Sequence, residues 1–177
     1  MPPKRVLFLC TGNSARSQMA EAFLRRLGGA RFEVFSAGLE LAPHIHPLAV
    51  QAMAELGYDL SAHYVKHLDA FAGKVEFDYL ITLCGHAEET CPFFPGMGTR
   101  LHWGFDDPAA AQGNDEERLN RFRQVRDEIA ARISSWLAEA EPTAEAAALN
   151  LSTSPLKMLW CGSTAQGSEC DDTAMDT

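Results

Sequence analysis

An α/β fold, with a doubly wound, four-stranded parallel sheet flanked by helices, is what this 177-residue sequence predicts. Two observations carry that expectation. Apolar runs of strand length alternate with amphipathic stretches of helical period, and Gly or Pro stands at the joins. Residues 6–10 are continuously apolar, as suits a parallel strand buried on both faces. The chain then breaks into Thr11-Gly12-Asn13-Ser14, after which Met19, Phe23, Leu24 and Leu27 recur at helical spacing until Gly28-Gly29 stops them. Residues 32–37 read as a second strand. Pro47 opens a helix with Ala49, Ala52, Met53 and Leu56 on one face, closed by Gly57. Residues 78–84 form a third strand and 100–103 a fourth. Asn114 or Asp115 caps a long helix carrying Leu119, Phe122, Val125, Ile129, Ile133 and Trp136 at offsets of three and four. Cys10, Cys84 and Asp106-Asp107 then fall at the carboxyl ends of strands, the edge where such sheets bind ligands.

Apolar residues make up 46% and charged residues 22%, the balance of a soluble globular protein. A body of ~150 residues buries enough surface to need no disulfide or metal staple. Residues 1–140 read as that body; 141–177 shift to Ala, Ser, Thr and Asp and read as an acidic, mostly disordered extension. Of the net charge of −9, the extension holds −5: six acidic residues against Lys157. The body is therefore only mildly acidic. It lacks the basic footprint of a nucleic-acid binder, and an anionic substrate must be held by local donors. No apolar run approaches the ~20 residues of a membrane span, and residues 6–9 are too short for a signal-peptide core. The expectation is a cytoplasmic monomer with no membrane partner. Its five cysteines (Cys10, Cys84, Cys91, Cys161, Cys170) then sit in a reducing compartment, where thiols are inert, metal-binding or reactive. Cys84 and Cys91 are too far apart for a zinc knuckle and lack a second ligand pair, so no metal is expected.

The chemistry concentrates in Cys10-Thr11-Gly12-Asn13-Ser14-Ala15-Arg16-Ser17, where a strand turns into a helix. Successive backbone N–H groups there can surround a tetrahedral oxyanion, and the helix N-terminus adds positive potential. Gly12 is expected to allow the tight turn, and Arg16 to supply a planar donor fork. The same field is expected to lower the Cys10 thiol below ~7.5, within the range of thiols at helix N-termini. A buried core cysteine followed by an ordinary arginine is the blander reading, and the strand–loop–helix context argues against it. Asp107, before Pro108, reads equally as a proton donor or as the cap of a turn. Cys91 follows the polar segment 85–90, a poor setting for a buried hydrophobe; for Cys84 that reading is credible.

Residues 6–21 (VLFLCTGNSARSQMAE) resemble the phosphate-binding loop of the low-molecular-weight protein tyrosine phosphatase fold, most closely its branch of thioredoxin-coupled arsenate reductases. Residues 36–38 (SAG) and 102–108 (HWGFDDP) match the same branch, and the resemblance spans residues 4–138. It implies that residues 11–17 bind the oxyanion, Cys10 is the nucleophile, Asp107 the general acid, and Asp106 a bystander. Cys84 and Cys91 match the second and third thiols of that branch. Arsenate is the implied substrate, no cofactor is bound, and reduced thioredoxin is the implied electron donor and partner. Asn13 and Ser17 match residues that brace the loop and hydrogen-bond the thiolate. Glu21 and Ser36 match positions of a potassium site found in some members, whose remaining acidic ligand is replaced here by Lys66. An ammonium paired with Glu21 and a solvated surface pair are the two readings of that exchange. Two other functions compete: a phosphatase, against which Ala109 and Ala110 stand in place of the aromatic that follows Asp-Pro, and a non-enzymatic oxyanion or redox sensor.

Overall fold

The computed structural model describes residues 1–140, and the expected acidic extension, with Cys161 and Cys170, lies outside the described residues. Four parallel strands form one sheet: β1 (Lys4–Cys10), β2 (Phe32–Gly38), β3 (Tyr79–Thr82) and β4 (Thr99–His102), in the order β2-β1-β3-β4. The four helices are α1 (Arg16–Gly28), α2 (Pro47–Ala54), α3 (Gly85–Thr90) and α4 (Asp115–Ala140). From β1 the chain passes to one side to make β2 and to the other to make β3. The crevice at the carboxyl ends of β1 and β3 is therefore the topological switch point, where open α/β sheets place their ligands. Cys10 closes β1 and Cys84 follows β3 by two residues.

The apolar run of β1 is buried throughout, from Val6 to Leu9. Its alternating side chains feed two faces. Phe8 meets Trp103 at 5.9 Å, and Trp103 meets Trp136 of α4 at 5.8 Å. Trp136 also packs on Phe32 and Tyr79, which fastens the long helix across β2 and β3. Leu7 is in register with Phe35, which closes an edge-to-face cluster with Phe71 and Phe77. The expected stripe of α4 is buried from Leu119 to Trp136. Asn114 caps this helix: its side chain accepts from the Glu117 N–H and the Glu117 carboxylate accepts from the Asn114 N–H, a reciprocal box.

Three local expectations change. Leu27 and Leu56 are exposed; α2 stops at Ala54, before Leu56 could join its buried face. The third strand is short, and the polar segment 85–90 winds into α3.

Candidate active site

Loop 10–17 joins β1 to α1 and is held from behind. The Thr11 carbonyl accepts from the Leu39 and Glu40 N–H groups, the Gly12 carbonyl from Ala42, and the Ser14 carbonyl from His46. The left-handed residue of the turn is Asn13, at φ 51°, while Gly12 does not take a positive φ. Asparagine tolerates that conformation better than most side chains, and here five hydrogen bonds by its N–H and side-chain amide hold it. Its N–H donates to Cys10 Sγ (3.2 Å), and its amide donates to Ser17 Oγ (2.8 Å) and Ser36 Oγ (2.9 Å). Asn13 Oδ1 accepts from Gln18 Nε2 and the Lys66 N–H. Because Ser17 Oγ accepts from Asn13, its own proton is available to Cys10 Sγ at 2.9 Å.

The expected lowering of the Cys10 thiol is not met. Burial, the largest influence, pushes it above its ordinary value; the Ser17 hydroxyl, the Arg16 charge and the Ser17 and Asn13 N–H groups pull it down without prevailing. A strand-to-helix loop supplies donors and potential, but the same loop is sunk into the core, and desolvation disfavours the thiolate.

Arg16 is buried and aimed at the segment after β4. Its Nη1 donates to the Phe105 carbonyl (3.1 Å) and its Nη2 lies 3.4 Å from Asp107 Oδ2. Asp107 also accepts from the Ala109 N–H, capping the short turn Pro108–Ala110. The cap reading of Asp107 is met, and the cap fixes a carboxylate whose side chain is 47% exposed beside the loop. Asp106 turns away, onto Arg121.

Thr11, the residue after Cys10, places its Oγ1 3.3 Å from Cys84 Sγ. Cys84 is the N-cap of α3 and Cys91 its C-cap, and all three described cysteines are free thiols. Cys91 is buried, contrary to the expectation from its polar setting. It stands four residues after the fully buried Ala87, and one helical face carries both inward. Burial pushes its thiol up.

Behind the loop, Glu21 is only 2% exposed and accepts from Ser36 Oγ; Arg25 Nη2 lies 2.5 Å away and Lys66 Nζ 3.5 Å. With the Lys66 side chain 9% exposed, this is a buried ammonium–carboxylate contact, and the surface-pair reading falls. Sequence reasoning missed two supports. Gln18, fully buried, ties Asn13 to the Tyr64 carbonyl and to His63. Gly38 passes so close behind the loop that a Cβ would stand 2.7 Å from the Thr11 carbonyl oxygen. A buried-face glutamine one residue after the loop serine was the available signal for the first. Among the described residues no three His, Cys, Asp or Glu side chains gather to hold a metal, and no helix is long and apolar enough to cross a membrane.

Comparison with known proteins agrees with this geometry. Residues 5–146 match the family model of the low molecular weight phosphotyrosine protein phosphatases. An arsenate reductase of Halalkalibacterium halodurans is 48% identical over 136 residues, covering 77% of this chain and 96% of its own. A solved arsenate reductase in a phosphate-binding state superposes with a TM-score of 0.65 at 33% identity, covering 78% of this chain and 99% of the other. A thioredoxin-dependent arsenate reductase of Corynebacterium glutamicum gives 0.58 at 31%, over 78% of this chain and 62% of the other. Loop, sheet order and relatives lead to one place: the chain belongs to the low molecular weight phosphotyrosine protein phosphatase family, on the branch of its arsenate reductases.

Proposed function

We propose that the protein reduces arsenate to arsenite through a relay of Cys10, Cys84 and Cys91, with reduced thioredoxin as electron donor. The carrying observation is that Thr11 Oγ1 stands at 3.3 Å from Cys84 Sγ in the loop that holds Cys10, with Cys91 one short helix away. A phosphatase needs one of these thiols. Reduction of As(V) to As(III) takes two electrons, which two thiols supply on closing a disulfide.

Residues 11–17 hold the oxyanion through backbone N–H groups and the Arg16 fork. The Cys10 thiol proton passes to Asp107, the Cys10 sulfur attacks arsenic, and Asp107 returns that proton to the departing hydroxyl, which leaves as water. Cys84 then attacks the Cys10 sulfur. The sulfur–arsenic bond breaks with its electron pair on arsenic, arsenite departs, and a Cys10–Cys84 disulfide remains. Cys91 attacks Cys84, frees Cys10 and leaves a Cys84–Cys91 disulfide for the external dithiol. No resident metal or cofactor takes part, and the reaction is cytoplasmic.

Cys91→Ser is expected to release one equivalent of arsenite per enzyme and stop, with Cys10–Cys84 trapped, whereas Cys10→Ser releases none. Steady turnover of Cys91→Ser with thioredoxin, thioredoxin reductase and NADPH would exclude the relay. The phosphatase reading keeps one observation in its favour, since Cys10, Arg16 and Asp107 also serve phosphate monoesters. Hydrolysis of such an ester by Cys84→Ser, with arsenate reduction lost, would mark it as a side activity of the same cradle.

A further inference from the structure

Helix α3 separates the second thiol of the proposed relay from the third. Seven residues from Cys84 to Cys91, at 1.5 Å each, hold their Cα atoms about 10 Å apart while the helix is wound. A disulfide requires roughly 7 Å or less. The wound helix therefore forbids the Cys84–Cys91 bond, and what keeps it wound controls the last exchange.

A helix of six residues does not hold itself in water. Ala87 anchors one face in the core, and His86 reaches Glu40 at 3.1 Å. The densest set of contacts converges on Glu88. Its Oε2 accepts from Thr82 Oγ1 (2.5 Å) and from Arg100 Nε (3.2 Å), and Arg100 Nη2 donates to the Glu88 backbone carbonyl. That carbonyl is among the last four of α3, which have no partner within the helix. Thr82 Oγ1 also lies 2.9 Å from His102 Nδ1. One guanidinium fork on β4 thus grips the main chain and the side chain of the helix leading to Cys91, and a hydroxyl two residues before Cys84 shares the same carboxylate.

We propose that Arg100, acting through Glu88, is a positioning residue of the thiol relay: a latch that keeps α3 wound while Cys84 faces Cys10 and that opens for Cys91 to reach Cys84. The inference rests on the relay proposed above. In the step it governs, the Cys91 thiolate attacks Cys84 Sγ. The Cys84–Cys91 bond forms, the Cys10–Cys84 bond breaks with its electron pair on Cys10 sulfur, and the Cys91 proton goes to solvent, with no net oxidation. The latch contacts exist only while α3 is wound. They stabilise the forms in which Cys91 is a free thiol and leave the Cys84–Cys91 disulfide unaffected.

Electrostatics offers a rival account that can be separated. The Arg100 guanidinium pulls the Cys91 thiol down and the Glu88 carboxylate pushes it up. Removing either charge acts on the thiol in opposite senses, but on the latch in the same sense.

The test equilibrates the full chain, Arg100→Met and Glu88→Ala against mixtures of reduced and oxidised dithiothreitol. Cys84–Cys91 is counted by alkylation and peptide mass mapping. Both variants are expected to shift the equilibrium toward the disulfide by about three- to tenfold, the size suited to a hydrogen-bonded pair 24% and 37% exposed. Their reduced forms should melt below reduced wild type, and their oxidised forms with oxidised wild type. Opposite shifts in the two variants, no shift, or equal loss of melting temperature in both redox forms would overturn the latch. If wild type itself forms no Cys84–Cys91 disulfide, the relay fails and the latch with it; if the disulfide forms but ignores both substitutions, the latch alone fails.

Discussion

Cys10 sits between two opposed influences, and their balance decides how it reacts. Burial withholds water from the sulfur, while Ser17 Oγ at 2.9 Å, the Asn13 N–H at 3.2 Å and the Arg16 charge favour the thiolate. Because the thiol is pushed up, a smaller fraction is ionised at any given pH than for an ordinary cysteine. Alkylation of Cys10 by iodoacetamide in the ligand-free enzyme is therefore expected to rise through a pH window above the ~8.5 of a free cysteine. Ser17→Ala should move that window upward again by about one pH unit, since it removes a hydrogen bond to the charged form. A midpoint near 7 in wild type, or no change in Ser17→Ala, would show that desolvation has been overcome by the loop. Sequence makes the donors of this site legible because they lie on eight consecutive residues. It does not make the sign of the balance legible, because the burial of Cys10 is set by strands and helices distant in the chain.

At the scale of elements, the loop is shaped as much by β2 as by its own residues. The end of β2 runs directly behind it, and a Cβ on Gly38 would stand 2.7 Å from Thr11 O and 2.9 Å from Asn13 N. Both are backbone atoms that cannot swing aside. Gly38→Ala is expected to cost about 1–3 kcal/mol of stability, as overpacking does, and to impair arsenite release more than melting alone would suggest. Urea unfolding alongside single-turnover assays checks both. An unchanged midpoint with full activity would show that the strand relaxes freely. The strands, α1 and α4 are legible from sequence because each writes its buried face into a local period. Helix α3 is not: Gly85-His86-Ala87-Glu88-Glu89-Thr90 buries only Ala87, and Arg100 and Thr82 from two strands help hold it. Lys66 and Gly38 belong to the site by the same kind of long-range contact; only the resemblance to a known family pointed to Lys66.

For the whole molecule, the open question of organisation is what the last 37 residues contribute. The described body completes its core before they begin. Trp136 is the last buried side chain of α4, and it already packs on Phe32, Tyr79 and Trp103. The H. halodurans reductase is matched over 96% of its length by 136 residues, so an arsenate reductase of this family needs little beyond the body. A chain ending at Ala140 keeps every residue of the proposed relay and loses a net charge of −5. We expect it to fold, to melt within a few degrees of the full chain and to turn over arsenate at a similar rate. A lowered melting temperature would mean that Leu156, Leu159 and Trp160 pack on the body. Normal melting with lost turnover would instead bring Cys161 or Cys170 into the thiol exchange. Disulfide mapping of the oxidised full chain separates these cases directly: Cys84 linked to Cys91, with Cys161 and Cys170 both alkylated, is the pattern that assigns the relay to the body alone.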